Sequence, residues 1–128
     1  MSYVPFNPNP RGYVTGDCAI RAIARATEQP WQAAYAALTM EGYLKGDLPN
    51  ANHVLNSYLK KQGFTHHIVP DTCPDCYTVA QFADDHPKGM YVLMLDNHVV
   101  AVNDGDWFDA FDSGGEPIDS YWAKEGSF

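Results

Sequence analysis

An α+β domain is the fold class predicted by this 128-residue chain. Helical periodicity fills the first half, strand patterns joined by hairpin turns fill the second, and the two do not alternate. Hydrophobic residues make up 45% of the sequence, enough for a core without cross-links. Residues 1–128 therefore read as a single domain: an extended lead-in over 1–16, a helical part over 17–63 and a mainly sheet part over 64–122. The expected architecture is N-terminal helices packed on a C-terminal antiparallel sheet.

Each element follows from local chemistry. The lead-in VPFNPNPRGYVTG is rich in Pro, Asn and Gly, which favours extended or looping backbone. DCAIRAIARAT is Ala-rich with Ile20, Ile23 and Thr27 at helical spacing, so a helix starts at about Cys18, with Asp17 or Thr15 available as its cap. Pro30 suits the first turn of a second helix, whose apolar stripe is Trp31, Ala34, Tyr35 and Leu38. Asn50 can cap a third, carrying Val54, Leu55, Tyr58 and Leu59, with Lys60 and Lys61 in its last turn and Gly63 as its stop. FTHHIVP is a strand candidate, TCPDCYT a turn-rich loop and VAQFADDH a brief helix ended by Pro87 and Gly89. Strands are expected over 90–95, 98–103 and 107–112, with Asp104-Gly105-Asp106 turning between the last two and IDSYW adding one more.

The net charge of −8 excludes a phosphate-binding surface, which needs clustered Lys and Arg. The first 70 residues carry six bases and four acids, and the remainder two bases and twelve acids. That acidic half disfavours nucleic acid and anionic membranes as partners and suits a cationic one. No run approaches the roughly 20 apolar residues of a membrane span. The N-terminus lacks a basic segment followed by an apolar one, so no secretory signal is expected. Three cysteines, an odd number, then point to reduced thiols in a cytoplasm.

Cys18 stands where free backbone N–H groups and the helix dipole favour a thiolate. Arg21 and Arg25 push the same way and Asp17 opposes them. Those N–H groups can also stabilise an oxyanion. The competing reading is a small apolar residue in an Ala-rich helix. A thiolate needs a base, and His98 opens a strand at a rigid sheet edge. His53 reads as solvated, His66 and His67 as one inward and one outward strand residue, and His86 as a helix terminator. A three-residue loop at Asp104–Asp106 sets His98 opposite Asp112 and Asp109 near Ala101, several residues from His98, so Asp112 is the natural carboxylate to orient the ring. A two-residue loop sets Phe111 opposite and leaves Asp112 diagonal. Asp112 within DSGGE can equally start a turn.

With GDCAIRA opening a helix, a distant GMYVLMLDNHVVAV and a strand ending in WFDAFDS, the chain resembles the papain-like cysteine peptidases. Cys, His and Asp follow in that family's order. In size it is similar to bacteriocin-processing peptidase domains, and its NPNP, GDC, TCPDCYT and HPKG segments resemble small papain-like proteins of phages and gut bacteria. The likeness spans about residues 7–122. It implies Cys18 as nucleophile, His98 as general base and acid, and Asp112 as the orienting residue. The family places a Gln before the Cys for the oxyanion hole, whereas the first Gln here is Gln29. Asn7, Asn9 and Thr15 are the substitutes, and Asn9 is chosen because an amide N–H₂ is the right donor.

Cys73 and Cys76 have the spacing of a zinc knuckle or a redox pair. No second CxxC accompanies them, and Pro70 and Pro74 make the segment a loop, so a tight turn with two semi-buried thiols is preferred, with no metal and no cofactor assigned. Trp107, Phe108, Phe111, Tyr121 and Trp122 read as core and sheet-face residues or as a cleft wall. The function implied is acyl transfer on an amide or isopeptide of a peptide or protein substrate, through a Cys18–His98–Asp112 triad and a thioester. The alternative is a non-catalytic interaction module of the same fold, such as a phage protein binding a host factor.

Overall fold

The computed structural model describes residues 1–124. It is an α+β arrangement of four helices and one six-stranded mixed sheet. In chain order the elements are β1 (Tyr3–Pro5), α1 (Cys18–Ala26), α2 (Trp31–Lys45), α3 (Asn52–Lys61), β2 (Phe64–Ile68), α4 (Val79–Asp85), β3 (Met90–Leu95), β4 (His98–Asn103), β5 (Asp106–Asp109) and β6 (Ser120–Lys124). Strand order across the sheet is β1-β5-β4-β3-β6-β2.

The sheet is buried on both faces. Val92, Met94, Val99, Ala101 and Trp122 form one core with the α1–α3 residues Ala19, Ile23, Leu38, Leu55 and Leu59. Tyr91, Leu93, Val100, Val102 and Trp107 form the other, against Val79, Phe82 and Ala83 of α4. Burial on both sides explains why β3 reads as the unbroken apolar run MYVLML rather than as an alternation. Ala at 19, 22, 24 and 26 keeps α1 thin, so nearly the whole helix is enclosed between the sheet and α2.

Three sequence expectations are corrected. The lead-in is not wholly irregular: Tyr3–Pro5 pairs parallel with β5, which makes the sheet mixed rather than antiparallel. Pro5 is tolerated because β1 is an edge strand. The strand expected over 107–112 runs only from Asp106 to Asp109, and Phe111 is exposed beyond it. Ala51, not Asn50, stands at the N-cap of α3. The remaining helices and strands fall within a few residues of their expected bounds.

Candidate active site

Cys18 is the first residue of α1, half-buried, and no side chain caps the helix. His98 is the first residue of β4, and Asp109 the last of β5. These strands are antiparallel, so both residues lie at the same end of the sheet, where α1 begins. His98 Nε2 is 2.6 Å from Asp109 Oδ2. Cys18 and His98 are interacting neighbours, each shifting the other's ionisation, and with Nε2 engaged by Asp109 the ring nitrogen left for the sulfur is Nδ1.

Asp109 is fully buried, and its carboxylate accepts four hydrogen bonds, the one from His98 among them. Arg21 Nη2 (3.0 Å) and the Ala110 N–H (2.8 Å) donate to Oδ1, while Ser113 Oγ (2.7 Å) donates to Oδ2 beside His98. Arg21, itself buried, turns its other fork nitrogen to Asp17 Oδ1 at 2.7 Å. Asp17 Oδ2 in turn accepts from Trp31 Nε1 at 2.8 Å. A relay of hydrogen bonds thus runs Trp31, Asp17, Arg21, Asp109, His98, Cys18. Two buried carboxylates share one guanidinium, so protonated His98 supplies a second positive charge beside Asp109, and with a Cys18 thiolate counted the cluster keeps one net negative charge.

The protonation directions follow. Asp109 and Cys18 bonding, with Asp109 dominant, raises His98 to about 9 against the opposing effect of burial. Burial pushes the Cys18 thiol up, but its hydrogen bond and charge contact with His98, the Val99 backbone and Arg21 together carry it below the ordinary value. Burial likewise raises Asp109, and the bonds from His98, Ser113 and Ala110 outweigh it, so the carboxyl lies below its usual range. Both directions favour a thiolate–imidazolium pair over a neutral thiol and imidazole.

Asp112 is not the orienting carboxylate. Its Oδ1 accepts from Trp107 Nε1 and the Gly114 N–H, both at 2.9 Å, as a turn-former does. The reason is register. Asn103 pairs with Asp106 across a two-residue Asp104-Gly105 loop, with φ of 51° and 82°, which fits the tight hairpin turn that Asp-Gly favours. Continuing that ladder sets Asp109 beside Val100, on the face that His98 shares, and Asp112 on the other face. Asn9 is not at the nucleophile either. Its Oδ1 accepts from the Arg11 N–H, and it borders a different hollow.

A cavity of about 260 Å³ opens over the thiol, lined by Gly16, Cys18, Asn50, Asn52, Asn97 and His98 among others. Three side-chain amides and the uncapped first turn of α1 are its hydrogen-bonding equipment for an oxyanion. A second hollow, of about 390 Å³, shares Leu95, Asn97 and His98 with it and continues to Phe111, Glu116 and Pro117.

The other histidines are placed elsewhere. His53 pairs with Asp47, His86 Nδ1 bonds the Phe82 carbonyl oxygen at 2.8 Å, and His66 and His67 stack on Trp122 and Tyr121. Arg25 lies over the Phe108 ring at 4.3 Å and not toward Cys18. Cys73 and Cys76 are disulfide-bonded rather than two thiols, which leaves Cys18 as the free cysteine. Among the described residues no group of three or more His, Cys, Asp or Glu is placed to hold a metal ion, and no helix is long and apolar enough to cross a membrane.

Comparison of the chain with protein-family models, with curated proteins and with solved structures finds no match in any of the three.

Proposed function

We propose that the protein is a papain-like thiol hydrolase that cleaves an amide or isopeptide bond of a peptide or protein substrate. The observation that carries this reading is the hydrogen-bonded line Cys18–His98–Asp109, with Asp109 in the role that the sequence alone assigns to Asp112. Cys18 Sγ attacks the carbonyl carbon, and the oxyanion meets the free N–H groups of the α1 first turn together with an amide from Asn50, Asn52 or Asn97. The His98 imidazolium gives its Nδ1 proton to the leaving nitrogen as the C–N bond breaks, which leaves a thioester. Neutral His98 then takes a proton from water, water attacks the thioester, and the acid departs as the Cys18–His98 pair is restored. Asp109 stays ionised throughout and fixes the ring. The cytoplasmic expectation drawn from three reduced thiols loses its premise, because Cys73 and Cys76 are cross-linked.

The test is the pH dependence of iodoacetamide labelling, resolved for Cys18 by mass spectrometry, in native protein and in His98→Ala. A depressed apparent pKa in the native protein that returns toward about 8.5 in the variant supports the reading. An inert Cys18, or ordinary titration in both proteins, removes it.

A further inference from the structure

A third hollow, of about 350 Å³, adjoins the Cys18 cavity and shares lining residues with it but none with the hollow at Phe111. Its walls include Tyr13, Ile20, Trp31, Tyr35 and Pro49, and Gly16 and Asn50 form the sill it shares with the cavity over the thiol. Three hollows therefore run in series, joined by shared lining residues, with Cys18 and His98 in the middle one.

The chemistry of this hollow is aromatic and uncharged. Trp31 and Tyr35 lie with ring centroids 5.2 Å apart. Tyr13 and Tyr35 are 63% and 47% exposed, so ring surface is left facing water at its mouth. The one carboxylate there, Asp17, is spent inward: Oδ1 on Arg21 and Oδ2 on the Trp31 indole. Asn9 Oδ1 is held by the Arg11 N–H. A cationic side chain would find no unpaired charge to meet, whereas an apolar ring would leave water and contact other rings.

The geometry points to a specificity pocket: the hollow between Tyr13, Trp31 and Tyr35 takes a bulky aromatic side chain of the peptide substrate, seated across the Gly16–Asn50 sill from the bond that Cys18 attacks. This deepens the thiol-hydrolase reading and rests on it for the word substrate. Concave, mostly apolar sites with a few polar groups at the rim are where organic side chains bind. Continuity with the thiol cavity is what selects this occupant over a separate docking partner.

Two measurements test it. The first compares alkylation of Cys18 by chloroacetyl-phenylalaninamide, chloroacetyl-lysinamide and chloroacetyl-glycinamide, in each of which sulfur displaces chloride from the same CH₂ group. The phenylalanine reagent should react roughly tenfold or more faster than the other two, the factor expected when a ring is withdrawn from water. The advantage should collapse toward unity in Tyr13→Ala/Tyr35→Ala. It should collapse also in Gly16→Leu, where a Cβ meets nothing within 4 Å and φ is not in the left-handed region, so the side chain fills the sill without straining the fold. Equal rates for the three reagents, or an advantage that survives both variants, overturns the assignment. The second measurement titrates Cys18→Ala protein with N-acetylphenylalaninamide and follows the Trp31 indole N–H by NMR. A saturable shift absent with N-acetyllysinamide supports the pocket even if the alkylation test of Cys18 as a catalytic thiol fails. No shift, or binding to a protein whose reactive Cys18 shows no rate advantage for the phenylalanine reagent, overturns its role in substrate selection.

Discussion

Asp109 lies diagonally across the β4–β5 ladder from His98 and holds the ring through Nε2 at 2.6 Å. Diagonal neighbours on one face of an antiparallel pair are far apart at Cα but within reach of side chains such as His and Asp. Asp109→Asn is expected to lower the His98 pKa from about 9 toward that of an ordinary imidazole. Labelling of Cys18 at neutral pH should then slow by roughly tenfold, because one pKa unit is a tenfold change in ionisation. Asp112→Asn, three residues on, should leave that rate within about twofold, since Asp112 serves only the Trp107 indole and a turn amide. Labelling kinetics alongside an NMR titration of His98 decide between the two aspartates. Equal slowing by both variants would contradict the register argument.

Cleavage of an amide needs thiolate and imidazolium together. Activity should rise as pH climbs through the depressed pKa of Cys18 and fall as His98 deprotonates near about 9. Once a cleavable peptide is in hand, the logarithm of kcat/KM should show a broad bell with its alkaline limb near 9. An alkaline limb near 6.5 would mean that His98 is not held by Asp109.

Stability carries the same signature with opposing signs. The raised pKa of His98 adds stability in full below the ordinary histidine value, and this is lost as pH rises through about 9. The lowered pKa of Cys18 adds stability above the ordinary thiol value, lost as pH falls through the depressed one. Where both shifts act, from the depressed pKa of Cys18 or about 6.5, whichever is higher, up to about 9, the two slopes cancel, so the pair leaves unfolding free energy flat in that window. Asp109, lowered as well, adds a loss only when acid reaches the carboxylate range. Urea midpoints across the window test this: a slope near 1.4 kcal/mol per pH unit attributable to Cys18 or His98 would mean that only one of the two is shifted.

The disulfide makes a prediction by counting. Native protein denatured without reductant should take up one iodoacetamide, at Cys18, and three after reduction. Replacing both Cys73 and Cys76 by Ser should cost about 2 kcal/mol or less, because the loop they close is short. Intact-mass measurement before and after reduction checks the first count, and three alkylations without reductant would remove the cross-link.

How far the site is legible in the sequence depends on parity. Cys18 and His98 are readable because each begins an element whose signals are local: an Ala-rich helix after Asp17, and an apolar strand after Asp96-Asn97. The third partner depends on whether the β4–β5 loop has two residues or three. A slip of one residue exchanges the faces of every side chain on the strand, trading Asp109 for Asp112. The Asp104-Gly105 pair carries the deciding signal, since Asp-Gly favours a two-residue turn. Ser113 and the Asn50, Asn52 and Asn97 amides have no such local mark. Ser113 and Asn50 meet the site through loops whose paths are set by tertiary packing and Asn52 from the start of α3, whereas Asn97 sits in the two-residue turn beside His98. Strand β1 likewise meets β5 through a parallel pairing more than a hundred residues apart in sequence.

Arg21 is where the fold and the candidate chemistry depend on the same side chain. It is 4% exposed and bridges Asp17 and Asp109, tying α1 to the end of β5. Arg21→Met would leave two buried carboxylates without their shared cation, a change that costs about 3–5 kcal/mol when one partner of a buried pair is removed. Arg21→Lys should recover only part of this, because an ammonium cannot fork to two carboxylates in fixed geometry. The two losses should also be coupled: in an Asp17→Asn background Arg21→Met should cost less, since one of the stranded charges is already gone. Beyond stability, losing the guanidinium should raise the apparent pKa of Cys18, because Arg21 contributes to lowering it. Urea denaturation of the four-member cycle gives the coupling, and the labelling profile of Arg21→Met in the Asp17→Asn background, taken where circular dichroism shows the variant folded, gives the pKa. Additive losses, together with an unmoved Cys18, would reduce Arg21 to an isolated structural residue with no hold on the thiol.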